Sequence, residues 1–106
     1  MQRADDEDCP PAPVPDGAQV REIRIINRRG LHARASAKFV QTVERFDSDV
    51  TVTRCGETVG GRSIMGLLTL AAAQGTSITV TAKGPDATEC LQAIDDLLAN
   101  RFGEDE

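Results

Sequence analysis

The chain has no tryptophan, no tyrosine and only three phenylalanines in 106 residues. It therefore carries no aromatic set on which nucleic-acid bases would stack, and its core has to be aliphatic. Long hydrophobic runs are missing too. No stretch has the make-up of a signal peptide or the length of a bilayer span, which argues for a cytoplasmic protein with no membrane partner. The cysteines, Cys9, Cys55 and Cys90, are odd in number and lack CxxC or zinc spacing. They read as a tail thiol, a turn residue and an apolar helix position. A single histidine, His32, leaves any metal short of ligands, so neither metal nor cofactor is expected. Paired acid and base groups are lacking as well, and the chain is not expected to be an enzyme in its own right.

What charge there is lies unevenly. The net value of −5 comes from both ends, with Asp5, Asp6, Glu7, Asp8 and Asp16 near the start and Glu104, Asp105 and Glu106 at the close. Between them, residues 20–38 hold Arg21, Arg24, Arg28, Arg29, Arg34 and Lys38 against Glu22 alone. The lone histidine sits in this basic stretch, which suits a phosphate and an acidic protein partner. Nucleic acid is not expected, because no aromatic residues interleave these charges.

Residues 1–19 combine acids and prolines with little to bury, and read as a disordered acidic, proline-rich tail. Residues 20–103 form one domain, followed by the acidic end 104–106. Alternation predicts a strand over Val20–Asn27, with Ile23 and Ile25 on one face. Arg28 to Leu31 turn the corner into a helix over Ala33–Arg45, whose Ser36, Phe39, Val40, Val43 and Phe46 share a face. Val50–Arg54 and Glu57–Gly60 pair through the hairpin loop Cys55-Gly56, where glycine supplies positive φ. Ser63 opens a short helix to Leu70 as its N-cap. A strand over Ser77–Lys83 follows, then a helix from Pro85-Asp86 with Asp86 and Glu89 spaced as a capping box. The inner stripe of that helix is Leu91, Ile94, Leu97, Leu98 and Phe102. The order β-α-β-β-α-β-α predicts a two-layer α+β sandwich with one sheet face open to solvent.

His32 stands in Gly30-Leu31-His32-Ala33-Arg34-Ala35-Ser36, where an extended stretch passes into a helix. A helix start offers unpaired N–H groups and a positive dipole end, so an anion carried on this imidazole would be held there. Free N–H groups at Ala33 and Arg34 and the Arg34 guanidinium are candidate phosphate ligands. A phosphoramidate on imidazole suits a carrier, because imidazole is a good nucleophile when neutral and a good leaving group when protonated. Gly30 allows a close approach or positive φ behind the ring, and Leu31 locks the turn into the core.

Gly30–Ser36 resembles the active-site motif of HPr, the histidine phosphocarrier family of the phosphoenolpyruvate-dependent phosphotransferase system. A second stretch, Gly61-Arg62-Ser63-Ile64-Met65-Gly66-Leu67-Leu68, resembles that family's regulatory-serine segment. The resemblance covers about Val20 to Phe102 and includes the nitrogen-related branch, NPr. It implies an open-faced sandwich with a four-stranded antiparallel sheet and three helices on one face. It also implies phosphorylation on Nδ1 of His32 with help from Arg34, and a monomer that takes the phosphoryl group from enzyme I and passes it to an enzyme II A-type acceptor in sugar uptake or its regulation.

Where an HPr kinase/phosphorylase exists, the resemblance implies phosphorylation of Ser63, with Arg62 able to pair with the phosphate. Ile64, Met65 and Leu68, with Arg62 beside them, form the implied docking patch, while Leu67 and Leu70 face another way. The alternative is a regulatory protein-binding module switched by phosphate at Ser63 or His32. Two departures stand out. Ala35 replaces a common proline, which softens the helix entry. Gln41 and Glu44 stand where many members carry basic residues, which bears on partner choice.

Overall fold

Four strands and three helices form in the computed structural model, which describes residues 9–104. The strands are β1 (Gln19–Arg24), β2 (Asp49–Arg54), β3 (Glu57–Gly60) and β4 (Ser77–Lys83). The helices are α1 (Ala33–Val43), α2 (Ile64–Thr69) and α3 (Ala87–Ala99). The sheet order is β1-β4-β2-β3, with every neighbour antiparallel. Strand alternation decides what faces the helices. Ile23, Val50, Val52, Ile78, Val80 and Ala82 are buried on that side against Phe39, Val43, Leu91, Ile94 and Leu98. This is the expected open-faced α+β sandwich.

The other sheet face is lined by short polar residues, and cross-strand hydroxyl pairs knit it: Thr51 with Thr81, and Thr53 with Thr58 at 2.8 Å. Part of this face is covered. Cys9, Pro10, Pro11 and Ala12 form a groove with Glu22, Thr53, Ser77 and Thr79, and Cys9 is disulfide-bonded to Cys55 in the β2–β3 turn. The reading of Cys9 as a tail thiol is corrected by that bond. Cys55 and Gly56 take φ of 48° and 83°, the mirror-image hairpin turn that fits strand twist. Nothing in the spacing of two cysteines 46 residues apart announced the pairing. Of the tail reading, residues 1–8 lie outside the described residues.

At α3 the expected capping box does not form. Asp86 makes no side-chain bond to its own helix. Its carboxylate accepts instead from the Asp47 N–H at 2.9 Å and the Ser48 hydroxyl at 2.6 Å, and these bonds hold it below the usual carboxylate range. A tertiary partner outcompeted the local one. Phe102 is buried, but past the helix end. Arg101, Phe102 and Gly103 follow with φ of 53°, 56° and 80°, a left-handed turn that drops the phenyl ring into the core. Left-handed backbone at two non-glycine residues costs roughly 1 kcal/mol each, which burial of the phenyl ring offsets. No helix among the described residues is long and apolar enough to cross a membrane.

Candidate functional site

The turn into α1 is built backwards from Gly30. Its φ is +68°, and a Cβ there would lie 2.6 Å from the Ala72 carbonyl oxygen, so only glycine fits. The same carbonyl accepts from the Leu31 N–H at 2.9 Å, and the buried Leu31 side chain anchors the turn. The chain therefore reaches His32 with its position set by two neighbours.

His32 is the N-cap of α1, with extended φ and ψ. Its Nδ1 accepts from the Arg34 N–H at 3.2 Å, while its carbonyl takes the first helical bond, from the Ser36 N–H at 2.8 Å. The imidazole is partly buried. The Arg34 N–H, expected to be free, is thus occupied by the ring itself, because a cap side chain meets the orphan donor at the second helical position. The Arg34 side chain and Ala33 are exposed. Ala35 is fully buried and Ser36 points inward to the Leu31 carbonyl at 3.4 Å, so the residue in the common proline position packs as core.

Two residues of this site carried no signal in the sequence. Glu104, 72 positions away, pairs its Oε2 with Nε2 of His32. Asn27, fully buried, donates from Nδ2 to the Gly30 carbonyl at 2.8 Å and to Glu104 Oε1 at 3.1 Å. Both acceptors demand a donor, which settles the amide orientation. Desolvation pushes the Glu104 carboxyl up, but hydrogen bonds from His32 and Asn27, with the charges of His32 and Arg29, outweigh it and hold the group below its ordinary range. The Lys38 ammonium on the Phe102 carbonyl fastens the left-handed turn that delivers Glu104. Position in an acidic terminal run had made Glu104 look like bulk charge. Asn27 sat unremarked at the edge of a strand.

Ser63 caps α2, its Oγ accepting from the Gly66 N–H at 2.9 Å. Beside it, Ile64 and Met65 are exposed, Met65 at 71%. Leu67 and Leu70 are buried and Leu68 is intermediate, so the two apolar sides of this short helix divide as expected. The Arg62 guanidinium donates to the carbonyls of Phe46 and Ser48 at 3.1 and 3.0 Å, which ties the start of α2 to the loop before β2. Helices α1 and α2 pack against one another. Among the described residues no hydrogen bond or ion pair joins the His32 group to Ser63. No three His, Cys, Asp or Glu side chains among them come together as a metal site either.

The family model for the "PTS HPr component phosphorylation site" matches residues 19–100. Phosphocarrier protein HPr of Neisseria meningitidis serogroup A is 51% identical over 86 residues, covering 81% of this chain and 97% of that one. Among solved structures, HPr-C-His from Thermoanaerobacter tengcongensis matches with a TM-score of 0.79 and 39% identity, over 83% of this chain and 99% of that one. An HPr dimer from the same organism matches with a TM-score of 0.66 and 41% identity, over 77% and 94%.

Proposed function

The chain belongs to the HPr family of phosphocarrier proteins of the phosphotransferase system, and on that footing we propose that Nδ1 of His32 is the atom that carries the phosphoryl group. The observation that supports this most is the ring at the start of α1, with Nδ1 directed at the Arg34 N–H. Phosphorus bonded to Nδ1 removes that acceptor and brings its own oxygens to the donor left behind, at the positive end of the helix dipole. The exposed Arg34 guanidinium adds a fork for two phosphate oxygens.

In this reading the protein is a stoichiometric carrier and not an enzyme. The donor is enzyme I, the acceptor an enzyme II A-type protein, and the working unit a cytoplasmic monomer. Ile64 and Met65, with the half-buried Leu68, supply an adaptable apolar surface for successive partners.

The test is incubation of the purified chain with phosphoenolpyruvate, Mg²⁺ and its cognate enzyme I, followed by intact mass and acid treatment. One acid-labile phosphate, absent from His32→Ala, is the expected outcome. No added phosphate on the native chain refutes the carrier assignment to His32.

A second reading has one observation behind it. Ser63 is exposed beside Ile64 and Met65, and a phosphate there would add about two negative charges at a helix start that tolerates them. Partner docking would then be weakened without unfolding. In this regulatory reading, a Ser63-dependent interaction survives His32→Ala.

A further inference from the structure

Resting on the assignment of His32 as the carrier residue, we propose that Glu104 is its positioning residue, holding the Nε2 proton and so presenting the Nδ1 lone pair for phosphoryl transfer. Three observations converge. The Glu104 carboxylate meets Nε2, and a carboxylate there requires a proton on that nitrogen. The Arg34 N–H points at Nδ1, which requires a lone pair on the other. The two contacts specify one tautomer, the one with Nδ1 bare. Glu104 in turn is held from behind by the buried Asn27 amide at 3.1 Å. The chain reaches this place only through the left-handed turn at Arg101–Gly103, an unfavourable backbone whose carbonyl at Phe102 is clamped by Lys38.

The chemistry then balances without moving a proton. The Nδ1 lone pair forms the bond to phosphorus as phosphorus parts from the donor's leaving atom, which keeps that bonding pair. The ring becomes cationic with its proton still on Nε2, and the Glu104 carboxylate on that edge offsets the new charge. On discharge the N–P bond breaks, the pair returns to Nδ1, and the imidazole is neutral again in the same tautomer. A carboxylate that orients a histidine and supports its cationic form acts through that histidine, as an outer-sphere carboxylate does in hydrolases and metal sites.

The experiment uses the full chain labelled with ¹⁵N. Its one histidine makes assignment unambiguous. In the unphosphorylated native protein with a neutral ring, the Nε2 proton should appear as a slowly exchanging downfield resonance coupled to its own nitrogen. Glu104→Ala should lose that resonance, and the rate of phosphoryl uptake from phosphorylated enzyme I should fall about ten-fold, the scale on which outer-sphere partners of histidine act. Glu104→Gln, which keeps an acceptor but no charge, should restore the resonance and part of the rate. A resonance retained in Glu104→Ala, or a native uptake rate in that variant, overturns the proposal. The resonance is read on unphosphorylated protein, so its presence or absence judges Glu104 even where His32 accepts no phosphate.

Discussion

Two helix starts in this protein share a local design and differ in what stands behind them. At α1 and at α2 an N-cap side chain, His32 or Ser63, accepts from a backbone N–H of its own first turn, at 3.2 and 2.9 Å. Local geometry therefore gives both the same anion-friendly character. Behind His32 lie a carboxylate on the far ring nitrogen, a fully buried amide and a glycine turn braced by Ala72. Ser63 has none of these. It is exposed, and its nearest sequence neighbours offer apolar surface to solvent. A cap alone makes a helix start; the tertiary shell turns one of the two into a site whose ring orientation is specified on both nitrogens.

Changing that shell should break the comparison most severely at Gly30. Gly30→Ala forces a Cβ to within 2.6 Å of the Ala72 oxygen at a φ of +68°, and should lower stability by about 2–4 kcal/mol in thermal or denaturant melts. Gly60→Ala, where a Cβ meets nothing within 4 Å, is the control, expected to stay near native stability.

A smaller loss follows at Asn27. Asn27→Ala leaves the Gly30 carbonyl without its donor and should cost about 1–3 kcal/mol. It also frees Glu104, so phosphoryl uptake should slow even in protein that remains folded at the assay temperature. An uptake rate equal to native would mean that the backing of Glu104 has no bearing on His32.

Ser63→Ala sharpens the contrast from the other side. It removes a cap worth about 1 kcal/mol, visible as a lowered melting midpoint, and should leave phosphoryl uptake on His32 untouched. A fall in uptake would show that the two helix starts are coupled after all.

The smallest expected effect is on the acid limb of stability. Hydrogen bonds from His32 and Asn27 hold the folded Glu104 carboxyl below its ordinary range, so its contribution is fully present above the unfolded value and fades as pH falls through the folded one. Glu104→Gln should flatten that part of a stability-against-pH curve. Ser63→Ala, with no titrating partner removed, should shift the curve without changing its slope.

The parts legible in the sequence share a physical character. The strand alternation of Ile78, Val80 and Ala82, the glycine turn before His32, the Ser63 cap and the division of Leu67 and Leu70 from Ile64 and Met65 are all written in residues a few positions apart, where backbone geometry acts directly. Asp86 shows the limit. Its capping-box spacing with Glu89 is a sound local signal, yet Ser48 and the Asp47 N–H claimed its carboxylate first. Arg62, read beside Ser63 as able to pair with a phosphate there, also donates to the carbonyls of Phe46 and Ser48, a tertiary contact that no local spacing announces.

By itself, the sequence determined that these residues form four strands and three helices in this order, that the core is aliphatic, and that the only imidazole opens a helix in the most basic part of the chain. Periodicity and cap chemistry suffice for that, because they are properties of neighbours. Tertiary structure alone decided that Cys9 reaches Cys55, that a stretch of prolines covers part of the open sheet face, and that Glu104 returns across 72 positions to His32. No spacing rule encodes such meetings. They depend on where packing of Phe102 and pairing of β1 with β4 return the two ends of the chain, which is fixed only when the whole core closes.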